Sequence, residues 1–289
     1  MRSLLFVPGD SEKKLAKAQS CGADVLILDL EDAVAPASKV KARGMAAEYL
    51  KSLKERRARF YVRVNALSTG LVDADLDAVV PAKPEGIMLP KCSGGADAIA
   101  LGAKLAAREA INGLPDGAVK TIPIATETTA SLFHMGSYAG ASARMEALTW
   151  GAEDLSAEVA AETQRLEDGN YTAPYQLARS LALFAAVASQ VPPIDTVYTN
   201  FRDEAGLRRE ALAARRDGFL GKMLIHPDQV GPVNEIFTPT KESIARAQAI
   251  LKAFSSGAGV ANLNGEMLDM LHVKYAERVL ARAKAAGFL

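Results

Sequence analysis

The sequence predicts an α/β fold, a (β/α)₈ TIM barrel with a C-terminal helical arm or lid, and three observations predict it. Short β-branched runs alternate with longer helical patterns eight times, the mark of parallel strands joined by helical crossovers. Strand runs such as Val25-Leu26-Ile27-Leu28 are apolar at consecutive positions, which suits a sheet buried on both faces. A length of 289 residues suits one barrel plus an appendage.

The first strand run covers residues 4–7 and is closed by the turn signal Pro8-Gly9-Asp10. Ser11-Glu12-Lys13-Lys14 then opens a helix to about Ser20. Further strand runs cover 25–30, 60–64, 86–89, 121–125, 147–150, 194–197 and 219–225. Helical patterns over about 37–52, 73–80, 95–111, 128–141, 172–190 and 203–216 separate most of them. Eight units favour closure into a barrel over an open sheet. After Ile225 the pattern changes: His226-Pro227 breaks the chain, helices follow over about 241–254 and 272–286, and a Gly/Ser/Ala/Asn stretch over 255–265 lies between them. The expected division is a catalytic barrel domain over 1–235 and an arm or lid over 236–289. The 255–265 stretch is too long for a tight turn and reads as a flap or a linker.

Composition narrows the function. Hydrophobic residues make up 49% and charged residues 24%, so a large core is available. The 34 basic and 34 acidic residues cancel, which removes any general attraction to nucleic acid or an anionic membrane. No run reaches the roughly 18 apolar residues that span a bilayer, and the first residues are too short in apolar character for a secretion signal. Cys21 and Cys92 have neither metal-ligand spacing nor the number for a disulfide scaffold. A reducing, cytoplasmic setting is expected.

In a barrel of this kind the active site lies at the C-terminal ends of the strands. Asp29, Glu31 and Asp32 follow the second strand run, Arg63 and Asn65 the third, Lys91 the fourth, Glu127 the fifth, Glu153 and Asp154 the sixth, and His226 the eighth. Acidic groups from neighbouring strands with no Cys or His set favour a hard cation held through oxygen, with magnesium the default. Glu127 and Asp154 are the expected pair, and Arg63 is positioned to grip a carboxylate or enolate oxygen. Each has a plainer role: a helix cap for Asp154, a buried ion pair with Asp29 or Glu31 for Arg63, a backbone bond for His226, and packing of the barrel mouth for Trp150. Lys13 and Lys17 lie four apart on one helix face, and with Arg2 they read either as a phosphate-binding patch or as a solvated face.

The chain resembles the citrate lyase β-subunit-like family, which includes malyl-CoA and citramalyl-CoA lyases within the HpcH/HpaI aldolase superfamily. The resemblance runs in order through Arg2-Ser3-Leu4-Leu5-Phe6-Val7-Pro8-Gly9, Leu28-Asp29-Leu30-Glu31-Asp32-Ala33-Val34, Val62-Arg63-Val64-Asn65 and Met88-Leu89-Pro90-Lys91. It continues through Thr126-Glu127-Thr128, Gly151-Ala152-Glu153-Asp154-Leu155, Gly221-Lys222-Met223-Leu224-Ile225-His226-Pro227 and Met267-Leu268-Asp269-Met270. It implies a Mg²⁺-dependent carbon–carbon lyase acting on a coenzyme A thioester, in homotrimers or hexamers, with metal on Glu127 and Asp154. It implies Arg63, Asp269 and Glu127 as catalytic residues, and Arg63, Glu127, Asp32, Lys13 and Lys17 as substrate-binding ones. Asp269 would serve as acid/base in a neighbouring subunit's site, with the 255–265 stretch as the hinge of a lid. An acyl-carrier partner, as for a citrate lyase β subunit, and a coenzyme-A-independent aldolase of 2-oxo acids are the alternatives. Two departures bear on the acid pocket: residues 128–133 lack the glycine that many relatives carry, and Asp269 is followed by Met270-Leu271-His272 with no early proline.

Overall fold

The computed structural model describes residues 1–255, 257 and 259–289. They form two compact units, Met1–Asn234 and Glu235–Leu289.

The first unit is a parallel barrel. Its strands are β1 (Ser3–Pro8), β2 (Val25–Asp29), β3 (Arg59–Arg63), β4 (Gly86–Leu89), β5 (Lys120–Pro123), β6 (Leu148–Thr149), β7 (Pro193–Asp195) and β8 (Gly221–Leu224). Ladders run in the order β5-β4-β3-β2-β1-β8-β7-β6. The two outer strands of that order are linked by parallel bridges, Thr121 to Met145 and Ile124 to Thr149, so the sheet closes on itself and its edges disappear. Leu4, Val25, Ile27, Tyr61, Met88 and Met223 belong to one interior cluster. Their neighbours Leu5, Leu26, Leu28, Val62 and Ile87 are as deeply buried on the other face. Burial on both faces is why these strands read as continuous rather than alternating apolar runs.

The helices of this unit are α1 (Glu12–Ala18), α2 (Lys39–Ser52), α3 (Val72–Val79), α4 (Gly95–Ile111), α5 (Thr129–Leu132), α6 (Glu153–Glu158), α7 (Ala173–Ala188) and α8 (Glu204–Asp217), and the residues of α9 (Val230–Phe237) are divided between the two units. The helix expected over 128–141 is cut short. Only α5 is α-helical there, and a 3₁₀ turn, Met135–Tyr138, follows. Tertiary bonds replace its ladder: the Tyr138 hydroxyl donates to the Cys92 carbonyl at 3.2 Å, and Gly95 N donates to Ser137 Oγ at 2.8 Å. Cys92 is buried, and burial pushes its pKa up to about 11. Trp150, expected to pack the barrel mouth, is fully buried just beyond the end of β6. It donates from Nε1 to Asp195 Oδ1 at 2.8 Å and meets Tyr171 edge-on at 5.2 Å.

The second unit contains α10 (Lys241–Ala253), β9 (Val260–Leu263), β10 (Glu266–Asp269) and α11 (Met270–Ala285). Ile250, Phe254, Leu268, Ala276 and Val279 belong to its own apolar cluster. Part of the 255–265 stretch, expected as a flap or a linker, forms a β-strand. Residues 260–263 pair antiparallel with β10, Leu263 opposite Glu266 and Val260 opposite Asp269. Asn264-Gly265 turns the hairpin with φ of 54° and 89°, the left-handed pair that a two-residue connection needs. Ser256 and Ala258, from the same stretch, lie outside the described residues. Among the described residues no helix is long and apolar enough to cross a membrane.

Candidate active site

A cavity of about 1020 Å³ opens at the C-terminal ends of the strands, with Phe6, Ile124 and Met223 among its apolar lining. Asp29 ends β2, Arg63 ends β3, Lys91 follows β4, Glu127 follows β5, and Asp154 lies in the first turn of α6. The strand ends thus bring together residues far apart in sequence, as the alternating pattern implied.

The pairing of Arg63 with Asp29 and Glu31 is one of the roles the sequence offered, whereas the pairing of Lys91 is not. Arg63 donates from Nε to Asp29 Oδ1 at 2.8 Å and from Nη2 to Asp29 Oδ2 at 2.6 Å, while Nη1 lies 3.0 Å from Glu31 Oε2. Its guanidinium also stacks over Phe6 at 4.7 Å. Two of its five N–H groups go to Asp29 and one side faces Glu31, so Arg63 is largely engaged before any substrate arrives. The structural pairing expected as the plainer role of Arg63 is present, and N–H groups remain for an incoming oxygen.

Lys91 was noted only as a strand-end base. Its Nζ contacts Glu31 closely and lies 3.2 Å from both Asp32 and Asp154, and its backbone N–H donates to Glu127 Oε2. The residue sits at φ 50°, a left-handed conformation that non-glycine residues seldom hold outside over-determined sites. That backbone turn lets one residue serve Glu127 with its amide and the other acids with its ammonium. Lys39 secures the loop after β2 by donating to the carbonyls of Leu30 and Glu31 at 2.8 and 2.7 Å.

Glu127 is 5% exposed. Burial, and next the charge of Asp154, push its pKa up to about 8, against the pull of the Lys91 amide and the Arg63 cation. Glu31 is also raised, first by burial. The loops carrying Glu127 and Asp154 are clamped by one hydroxyl: Thr126 Oγ1 donates to the Gly151 carbonyl at 2.9 Å and accepts from Gly151 N at 3.0 Å. A Cβ on Gly151 would fall within 3.3 Å of three Glu127 side-chain atoms, so glycine leaves the space that the carboxylate fills.

Five carboxylates (Asp29, Glu31, Asp32, Glu127 and Asp154) face two cations at this mouth. The excess negative charge, and the mutual repulsion of Glu127 and Asp154, fit a hard cation. Among the described residues no three His, Cys, Asp or Glu groups converge as a cage. An ion on these two carboxylates would leave its other positions to water and substrate, the habit of Mg²⁺.

Lys13, Lys14 and Lys17 of α1 line the same cavity, and all three are exposed. Lys14 stands outside the four-residue spacing of Lys13 and Lys17 and yet lines the cavity with them. Arg2 does not join them: it lies at the start of β1, opposite the mouth, and donates to Asp24 from Nε at 3.0 Å and Nη2 at 2.7 Å. Asp32 lines the cavity. His226 Nδ1 accepts from Asp228 N at 3.3 Å, and its ring stacks on Phe201 at 4.5 Å.

Asp269, in the second unit, is the N-cap of α11. Its Oδ1 accepts from Leu271 N at 2.9 Å and His272 N at 3.4 Å, and lies 2.8 Å from His272 Nδ1. The histidine contact holds its pKa below the usual carboxylate range.

The family model described as HpcH/HpaI aldolase/citrate lyase matches residues 2–227, and one described as a C–C bond lyase of the TIM-barrel fold matches 170–288. A citrate lyase subunit beta from Leuconostoc mesenteroides subsp. cremoris is 35% identical, over 98% of this chain and 93% of its own. A (3S)-malyl-CoA thioesterase from Cereibacter sphaeroides is also 35% identical, over 98% of this chain and 95% of its own. The crystal structure of protein CitE from Mycobacterium tuberculosis, in complex with magnesium, acetoacetate and coenzyme A, is 33% identical, covers 98% of both chains and has a TM-score of 0.78. This chain belongs to the HpcH/HpaI aldolase/citrate lyase family and is a carbon–carbon lyase.

Proposed function

We propose that this carbon–carbon lyase cleaves a β-hydroxyacyl thioester of coenzyme A into an acyl-CoA and a 2-oxo acid, or joins them by Claisen condensation, with Mg²⁺ held by Glu127 and Asp154. Malyl-CoA, β-methylmalyl-CoA and citramalyl-CoA are the substrates in view. One observation carries the reading: the buried Glu127, under the charge of Asp154, faces a cavity whose lining also includes Lys13, Lys14 and Lys17. The bound magnesium and coenzyme A of the Mycobacterium relative support it.

In cleavage the β-hydroxyl gives its proton to water, its oxygen becomes the carbonyl of the 2-oxo acid as the bond to the thioester's α-carbon breaks, and the electron pair of that bond stays on the α-carbon as an enolate. A magnesium ion on Glu127 and Asp154 supplies Lewis-acid polarisation of the hydroxy acid's oxygens. Arg63 directs its remaining N–H groups at the developing negative charge, a contribution of about 3–4 kcal/mol per well-placed donor. Asp29 and Glu31 fix that guanidinium so it need not reorganise. Asp32 meets the substrate at the wall, and the three lysines receive the phosphates. Asp269 moves the proton at the enolate carbon, donated across subunits of a homotrimer or hexamer. The setting we assign is the cytoplasm.

Purified protein with Mg²⁺ should turn malyl-CoA, β-methylmalyl-CoA, citramalyl-CoA or citryl-CoA into acyl-CoA and 2-oxo acid, followed by mass spectrometry, and a chelator should stop it. Turnover only with an acyl-carrier protein would replace this reading with that of a citrate lyase β subunit. Free coenzyme A as the first product would replace it with thioester hydrolysis, and cleavage of free 2-oxo-4-hydroxy acids alone with a coenzyme-A-independent aldolase.

A further inference from the structure

Lys91 is the side chain at this mouth whose position the proposed chemistry leaves unexplained. Its ammonium makes the ion pair of Asp154, at 3.2 Å, and no other basic group lies within ion-pairing distance of that carboxylate among the described residues. The same ammonium reaches Glu31 and Asp32, and the same residue's amide engages Glu127. Both proposed metal ligands are therefore held by one residue in a left-handed backbone conformation.

We propose that the Lys91 ammonium is a resident counter-cation that competes with the divalent metal for Asp154, holding the carboxylate pair in place while the metal is absent and moving onto Glu31 and Asp32 when it binds. This rests on the metal reading of Glu127 and Asp154. The argument is one of charge and reach. Among the described residues the Lys91 ammonium is the one cation within ion-pairing distance of Asp154, and a dication on the same carboxylate repels an ammonium at that distance. The ammonium has somewhere to go, because Glu31 and Asp32 are already within its contact shell. Glu31 is buried and, beyond its approach to Arg63, its Oε2 has no aligned hydrogen bond, so it can take a larger share of the charge. The amide contact to Glu127 belongs to the backbone and need not move. Lys91 is thus a positioning residue: it keeps five carboxylates from forcing the loops apart without metal, and its presence lowers metal affinity.

The test uses Mn²⁺ as the probe, with binding followed by electron paramagnetic resonance. Lys91→Met keeps the side-chain length and removes the charge. It should bind Mn²⁺ at least about tenfold more tightly than the wild type, melt at a lower temperature in a chelator, and gain more from added metal. Lys91→Arg should stay within about threefold of the wild-type Kd, since the charge is kept. Unchanged or weaker Mn²⁺ binding by folded Lys91→Met overturns the proposal. Crystals of the wild type grown with Mn²⁺ give a measurement that no folding defect can spoil. Nζ should lie beyond 4.0 Å from Asp154 with the Glu31 contact kept, and an unmoved ammonium overturns the proposal. Wild-type protein that binds no Mn²⁺ at millimolar concentration sinks the metal reading itself, a result distinct from either.

Discussion

Gly151 leaves open the space that Glu127 occupies: a Cβ on Gly151 would stand 2.7 Å from Glu127 Cγ and 3.2 Å from Oε1. The glutamate must then shift, while Thr126 still clamps the loop by two hydrogen bonds. Gly151→Ala should therefore weaken Mn²⁺ binding by tenfold or more, about 1.4 kcal/mol, with the fold largely intact. Calorimetric titration beside a thermal melt checks this. Wild-type affinity in the alanine variant would mean that Glu127 is not a ligand.

Glu127 also sets a pH dependence. Its pKa is near 8 in the fold and near 4.5 in the unfolded chain, so the folded state holds the proton more tightly. The resulting stabilisation is complete below about pH 4.5 and is lost as pH rises to about 8, on the order of 5 kcal/mol in all. In a chelator, urea midpoints should fall between pH 5 and 8, and Glu127→Gln should flatten that slope. An equally steep slope in the variant would assign the effect to other groups.

Outside the barrel, Lys222 Nζ lies 2.9 Å from Asp195 Oδ2 and 2.6 Å from Glu210 Oε1 with no solvent exposure. Lys222→Met strands the buried Asp195 with Arg179, 3.4 Å away, as its remaining cation. The expected cost is about 3 kcal/mol, seen as a melting temperature lower by roughly 6–12 °C for a unit of this size. A loss under about 1 kcal/mol would show that Arg179 compensates.

The α1 lysines should act on binding alone. Replacing Lys13, Lys14 and Lys17 together by alanine should raise the Kd for coenzyme A about tenfold at low salt, as expected of three exposed charges each contributing less than about 1 kcal/mol. It should also flatten the salt dependence and leave kcat at saturation unchanged. A Kd insensitive to all three would return them to a solvated helix face.

Asp269 has a structural duty that must be separated from a chemical one. Asparagine caps a helix about as well as aspartate, whereas alanine costs about 1 kcal/mol. Asp269→Asn should keep the melting temperature and lose 10²-fold or more in turnover, the scale of a missing acid or base. Asp269→Ala should lose both. Full turnover by the asparagine variant would leave Asp269 as a cap only.

Much of this could be read before the structure. All eight barrel strands lie within two residues of the expected positions at each end, because hydrophobic period and turn chemistry act over a few residues. Some misreadings came from local signals passed over. Asn264-Gly265 is a hairpin-turn signal, yet the sequence reading placed no strands beside it. Arg2 precedes its strand and so had to lie at the far end of the barrel from Lys13 and Lys17. The truncated helix after Glu127 is different in kind, because Tyr138 and Ser137 are taken by partners near Cys92 and Gly95.

The sequence by itself determined the alternation of strands and helices, and with it which side chains end up at the strand ends of the mouth. Backbone geometry is periodic, so spacing along the chain is enough. Only the tertiary structure decided how those charges are shared: Arg63 given to Asp29 and Glu31, Lys91 to Glu31, Asp32 and Asp154. Ion pairing depends on distance through space and on burial, and neither is fixed by separation along the chain.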